Sequence, residues 1–308
     1  FVPPGVYCCS TLKIPAQVGL TGQPTWTYRE FGGSILRLAD PAARCLIDLT
    51  GAQGATLEGL CLDGASLGTD IPGVLLDKPD YGKSEDAFRV ERCRIGRFSG
   101  DGMRLLRAWC FSVRHSMIGY NKGHGIKVRG WDGFLLDNWF SCNRGAGFAA
   151  LNENSMMIIT GNRVEYNCGG GILLHGAKNY NLTGNCLDRS GGPGLALLPR
   201  NERGCKNITI TGNIFYGSGA PNWHPVEELD NCHLRMERAE GVTVVGNSMV
   251  VKKDSGDWSP RYGIVCRELA WTVIKDNVLR YGALEKLILD QGGHGPEIAD
   301  AGDRIDGA

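Results

Sequence analysis

The sequence predicts an all-β solenoid, a parallel β-helix of about ten coils, and three observations carry that prediction. A glycine phrase returns at a fixed interval: Gly100-Asp-Gly-Met-Arg-Leu105, Gly123-His-Gly-Ile-Lys-Val128, Gly145-Ala-Gly-Phe-Ala-Ala150, Gly169-Gly-Gly-Ile-Leu-Leu174 and Gly192-Pro-Gly-Leu-Ala-Leu197, in steps of 23, 22, 24 and 23 residues. A period in this range marks one structural unit stacked on copies of itself. A second phrase keeps the same phase: Thr160-Gly-Asn162, Thr183-Gly-Asn185, Thr211-Gly-Asn213 and Val245-Gly-Asn247, with Asn138 and Asn277 in the same place. Around each of these Asn residues, apolar side chains alternate with period two, as in Met157-Ile-Ile-Thr-Gly-Asn162. That is a strand pattern, with no 3.6-residue stripe.

Each coil therefore reads as strand A (the Gly-x-Gly phrase), strand B (ending at the Asn) and a short strand C after it. Strand A begins near residues 43, 71, 100, 123, 145, 169, 192, 231, 261 and 284. Coils stack about 4.8 Å apart, and each backbone N–H and C=O finds its partner in the coil above or below. The Asn residues point inward and form a ladder of amides. The residue before each Asn needs a positive φ, which Gly supplies at little cost and Asp137, His115 and Asp276 tolerate better than most. Residues 1–290 form this one domain, and the Gly- and Asp-rich stretch 291–308 reads as a tail or partial cap.

Composition narrows the function by exclusion. Lys plus Arg balance Asp plus Glu at 33 each, so there is no electrostatic footprint for nucleic acid. No apolar run reaches the 18 or so residues of a membrane span. The 12 Cys include no C-x-x-C and no Cys/His spacing suited to zinc. They read as free thiols, several at inward positions, with Cys93 in the Asn register; free thiols favour a reducing compartment. The opening at Phe1 reads as the middle of a strand, with sequence lost upstream and a signal peptide left open. Asp77, Asp80, Glu85 and Asp86 cluster near an early turn at a spacing that fits no calcium loop. No cofactor or metal is expected.

The opening Val2-Pro-Pro-Gly-Val-Tyr7, Leu12-Lys-Ile-Pro15 and Val18-Gly-Leu-Thr-Gly22, together with the Thr-Gly-Asn and Gly-x-Gly phrases, resembles the right-handed parallel β-helix proteins of the pectate-lyase-like superfamily along nearly the whole chain. The resemblance implies a right-handed coil, a sugar ligand and a secreted or periplasmic location. That superfamily holds polysaccharide lyases, glycoside hydrolases, uronan epimerases, fructotransferases and phage tailspikes. No motif selects one of them, so the reaction has to be argued from the site.

The register places side chains. The third residue after each ladder Asn points outward on strand C, and that column reads Gly119, Ser141, Glu165, Asp188, Tyr216, Val250, Arg280. Glu165 and Asp188 are then neighbours one coil apart, about 5 Å between Cβ atoms. A proton donor beside an ionised carboxylate suits glycosidic-bond cleavage, with Glu165 and Asp188 as acid and base or nucleophile, open to solvent. Arg163 and Arg189 are placed to hold charge, Trp139 to stack a sugar, and His175, outward on strand A, to bind substrate. A solvated ion network is the plain structural alternative.

The corner from C to A is short after Glu165 and Asp188, and small residues (Ala146, Gly170, Pro193) then leave a shelf beside the carboxylates. The next two coils carry insertions at that corner, 217–230 with Trp223, His224, Glu227 and Glu228, and 252–260 with Asp254, Asp257 and Trp258. Long loops on one edge of a repeat rod build its binding face. The first expectation is a glycoside hydrolase or transglycosidase acting on an oligo- or polysaccharide. The alternatives are a lyase or epimerase on a uronan, using a cation and a Lys, Arg, His or Tyr base, and a non-catalytic tailspike-like rod. The oligomeric state stays open between monomer and trimer.

Overall fold

A computed structural model describes residues 1–23, 27, 30–222, 224–251, 256–281, 283–296 and 298–299. It is a parallel β-helix. Strand C of successive coils forms a ten-stranded parallel sheet that runs from Gly5–Cys9 through Trp139–Ser141, Arg163–Glu165 and Cys186–Asp188 to Ser248–Val250. Faces A and B stack likewise, Ile172–His175 on Leu195–Leu198 and Lys178–Thr183 on Cys205–Thr211. In some coils A and B run on as one strand bent at a left-handed residue. Met103–Arg114 is one, with Arg107 at φ 61° and a register shift there.

Pairing continues beyond residue 290, because Ile298–Ala299 pairs with Thr272–Val273; residues 297 and 300–308 of the expected tail lie outside the described residues. Among the described residues, no helix is long and apolar enough to cross a membrane.

The core is three columns of inward side chains. Face A supplies Leu105, Val128, Ala150, Leu174 and Leu197; face B supplies Val113, Leu135, Ile159, Leu182 and Ile210; face C supplies Ile118, Phe140, Val164, Leu187 and Phe215. All are buried, at about 1.5–3 kcal/mol for a side chain of the larger kinds.

The Asn ladder runs along the B–C corner. Each side-chain amide donates to the next Asn Oδ1, at 3.0 Å for Asn138–Asn162, 3.0 Å for Asn162–Asn185, 2.9 Å for Asn185–Asn213, 3.0 Å for Asn213–Asn247 and 2.8 Å for Asn247–Asn277. The same Oδ1 also accepts the backbone N–H of the Asn one coil back, as Asn185 does from Asn162 at 3.0 Å. Gly161 and Gly184, just before ladder positions, have φ of 70° and 65°, and Asp137 and Asp276 take the same conformation at 56°. At the early end the Cys93 N–H donates to Ser116 Oγ, and burial pushes the Cys93 thiol up to about 12.

A second ladder, not read from the sequence, lines the C–A corner. Asn121 donates to Asn143 Oδ1 at 2.9 Å and Asn143 to Asn167 Oδ1 at 2.8 Å; Ser190 and Ser218 continue the line. Its sequence trace is an Asn or Ser five residues after the first ladder position, as in Asn138 and Asn143 or Asn185 and Ser190.

Asn185→Leu removes the acceptor for Asn162 and the donor for Asn213 and for the Ile159 carbonyl. It is expected to cost about 1–3 kcal/mol in a urea titration, because buried partners are left unsatisfied. A midpoint equal to that of the parent protein would show the ladder to be incidental to stability.

Candidate functional site

Glu165 and Asp188 stack directly across adjacent strands of face C. They are not open to solvent as expected: Glu165 is 1% exposed and Asp188 6%. Long neighbours lie flat over them. Trp139 Nε1 donates to Glu165 Oε1 at 2.7 Å, and Arg163 Nε donates to Glu165 Oε2 at 2.7 Å. Arg163 also stacks over the Trp139 ring, 5.2 Å from its centre. Arg189 folds back on Asp188 with two bonds of 2.6 and 2.7 Å, its guanidinium lying 4.7 Å from the Tyr166 ring centre and 5.6 Å from that of Tyr216. The bond to Asp188 holds Arg189 above the usual arginine range.

The same device occurs earlier in the same column. Asp63, fully buried, accepts from Arg37 Nε and Arg97 Nε, both at 2.8 Å, and from the Ala65 N–H. Burial pushes its carboxyl up, but bonds from Arg97, Ala65 and Arg37 together hold it below the usual range. Arginine-capped carboxylates are therefore a recurrent way of ending strand C in this rod.

The shelf of small residues exists, but around the corner on face A. Tyr166 and Arg189 are left-handed, at φ 53° and 43°, and turn the chain away from face C. A cavity of about 340 Å³ follows, floored by Gly169, Gly170, Gly191, Gly192 and Pro193 and walled by Pro225, Val226, Glu227 and Asp230. The floor is glycine because it is close: a Cβ on Gly191 would meet the Cys168 carbonyl at 2.4 Å and the His224 Cβ at 3.1 Å. The first insertion thus folds back over the two preceding coils, with exposed His224 lying against Gly191. Trp223 lies outside the described residues. Trp258, exposed, has its carbonyl 3.2 Å from where a Cβ on Gly217 would stand, beside the Arg189 stem.

A larger groove of about 840 Å³ occupies the corner between faces A and B, lined by Arg129, Trp131, Glu153, Lys178, Arg200 and Arg203 among others. His175 lines both cavities. Burial lowers the His175 imidazole from its ordinary value, the positive charges of Arg200 and Arg235 lower it further, and its bond to the Pro199 carbonyl acts the other way. The exposed Trp131 ring stacks parallel on Tyr81, centres 3.9 Å apart and planes at 5°.

Sequence reading singled out His175 but missed Trp131, Lys178, Arg200 and Arg203. A signal was present. The interval from Gly169 to Asn185 is 16 residues and that from Gly192 to Asn213 is 21, so the A–B corner at 199–204 is itself an insertion. Arg104, by contrast, is engaged by Asp101 and Asp70, and Arg129 by Glu153.

Two acidic groups bear on metal binding. Asp86 of the early acidic cluster is buried and clamped by Lys78 at 2.8 Å. Among the described residues, Cys266, Asp290 and His294 bring three potential ligand atoms within 4.8 Å of one another. His294 Nδ1 accepts the Leu269 N–H at 3.1 Å, which places the ring proton on Nε2, 2.7 Å from Asp290 Oδ1. Both nitrogens are then spent, and burial, then Asp290, push the Cys266 thiol up to about 12. The group is a hydrogen-bonded clasp on the last coils. All 12 cysteines are free.

Residues 81–283 match the family model of the right handed beta helix region, and the chain belongs to that family. None of the curated proteins gives a significant match to the sequence. Solved structures share this right-handed β-helical fold. DFA-IIIase from Arthrobacter chlorophenolicus A6 superposes with a TM-score of 0.64 at 16% identity, over 99% of this chain and 76% of that one. The A-module of the Azotobacter vinelandii mannuronan C-5 epimerase AlgE4 gives 0.68 at 16%, over 99% and 90%. Tailspike protein 2 of the Escherichia coli O157:H7 bacteriophage CAB120 gives 0.67 at 12%, over 88% of this chain and 38% of that one. At such identities the likeness is one of fold.

Arg189→Ala should strip Asp188 of its bidentate partner and cost about 1–3 kcal/mol of stability. Adding Asp188→Asn should recover part of that loss, because the uncompensated charge goes. Equal stability of parent and Arg189→Ala in thermal or urea unfolding would show that the pair contributes nothing.

Proposed function

We propose that this chain binds and processes an oligo- or polysaccharide, and that the substrate lies along face A over the two cavities that meet at His175. One observation carries the reading: a single half-buried imidazole is shared by a glycine-floored shelf and a larger groove. The volumes, about 340 and 840 Å³, suit ligand pockets, and the shelf is low enough for a sugar ring to approach the backbone. His175, with its pKa lowered, is neutral at pH 7 and free to accept a proton through its unprotonated nitrogen. Arg200 and Arg235 lie near enough to depress it, so they are also placed to stabilise negative charge developing beside it. A neutral base among cations favours abstraction of a proton next to a sugar carboxylate, as in a lyase or epimerase.

A second reading keeps the chemistry on face C, with Glu165 and Asp188 cleaving a glycosidic bond, Arg163 and Arg189 holding charge and Trp139 stacking the sugar. The direct pairing of the two carboxylates favours it. It requires Arg163, whose side chain is 54% exposed, to swing away from Glu165 when substrate arrives. Trp258 and the first insertion, with His224, would then contribute from the corner.

A panel of neutral and acidic glycans, assayed for reducing ends and for the absorbance of an unsaturated uronate, tests both. His175→Ala should lower turnover at least about 10²-fold with the fold intact, while Glu165→Gln retains most of it. The reverse pattern moves the chemistry to face C. Turnover by His175 should also fall as pH drops through the folded-state pKa, below the ordinary histidine value, since the protonated ring cannot accept a proton. A flat profile there would remove His175 as the base.

A further inference from the structure

We propose that the groove at the A–B corner recognises an oxyanion carried on a saccharide, a carboxylate or a sulfate ester. The inference rests on the saccharide reading above and adds the charge class of the ligand. Four cations line the groove, Arg129, Lys178, Arg200 and Arg203, against two carboxylates, Glu153 and Glu202. Arg129 is taken up by Glu153 at 2.9 Å. Among the described residues, Lys178, Arg200 and Arg203 form no ion pair with a protein carboxylate, although the rest of the rod pairs its arginines repeatedly.

The corner presents these charges by construction. In the preceding coil only Gly176 and Ala177 separate strands A and B; here the six residues 199–204 do. That loop is closed on itself by paired backbone bonds, Arg200 N–H to the Arg203 carbonyl at 2.8 Å and Arg203 N–H to the Arg200 carbonyl at 3.0 Å. Both guanidiniums therefore leave from one short, tied turn. Arg200 stands over Gly176, its Cβ 3.2 Å from where a Cβ there would lie, two residues from Lys178.

Burial lowers the imidazole of neighbouring His175, and Arg200 lies close enough to depress it further. The exposed Trp131 ring is backed by Tyr81, whose hydroxyl donates to the Glu153 carbonyl at 3.3 Å. It offers a fixed apolar face for sugar C–H groups. Guanidinium forks and a lysine point charge take the oxyanion. A neutral sugar would leave the excess positive charge of the groove unneutralised.

The test measures binding of the full chain to three probes of equal length: oligogalacturonate, sulfated dextran oligomer and neutral dextran. At least one anionic probe should bind tenfold or more tightly than dextran, and bind more weakly as salt contracts the Debye length from about 30 to about 8 Å. The preferred anionic arm separates carboxylate from sulfate. Lys178→Ala with Arg200→Ala should lower that affinity tenfold or more, with an unchanged thermal midpoint because both side chains are exposed. Arg203→Ala, at the other end of the same turn, gives a second variant with the same expected direction. Equal binding of anionic and neutral probes, or unchanged anionic binding by the folded variants, overturns the proposal. If dextran binds and the variants are silent, the charge class falls, and proton abstraction beside a sugar carboxylate with it, while saccharide binding stands; if no probe binds, the saccharide reading falls as well.

Discussion

The whole structure depends on one constraint: each coil must lie in register on the last, because buried amides bridge them at two corners. The Asn162 side chain alone donates to Asn185 Oδ1 and to the Leu135 backbone carbonyl, while its own Oδ1 accepts from Asn138. A slip of one residue would leave all of these groups unpaired in an apolar core, at about 1–3 kcal/mol each. The ladder gains little per rung in net terms. Its effect lies in the cost of every alternative register.

Length can therefore vary only at corners. The rod uses that freedom at the C–A corner after Tyr216 and Val250 and at the A–B corner after Leu198. The first insertion folds back over glycines of earlier coils, and the A–B insertion stands over Gly176. Both border face A, which is why the groove and the shelf meet there at His175. Where the corner stays short, left-handed residues such as Tyr166 and Arg189 make the turn without a loop.

Register also imposes an electrostatic problem, since residues of like charge in one column are forced into contact. Glu165 and Asp188 cannot move apart along the axis. The rod answers with a guanidinium for each, drawn from the same strand or its end, and covers Asp63 with Arg37 and Arg97 from the neighbouring coils. The unpaired cations of the A–B groove depart from this habit, and they sit in a concavity beside an exposed indole.

The period, the alternation and the Asn phrases by themselves determined the coil, the face each residue occupies, and the stacking of Glu165 on Asp188. Those are consequences of chain connectivity and a two-residue strand period, which sequence carries directly. The second ladder was legible too, in the Asn and Ser five residues beyond the first. Tertiary structure alone decided whether the paired carboxylates meet solvent, because that depends on how Trp139, Arg163 and Arg189 lie, and rotamers of long side chains are set by neighbours from other coils. It alone decided which face the insertions cover, since a loop's direction follows from what it packs against. Tyr81 reaching Trp131 across two coils, and Arg200 reaching the coil of His175, are likewise contacts between residues that no local pattern joins.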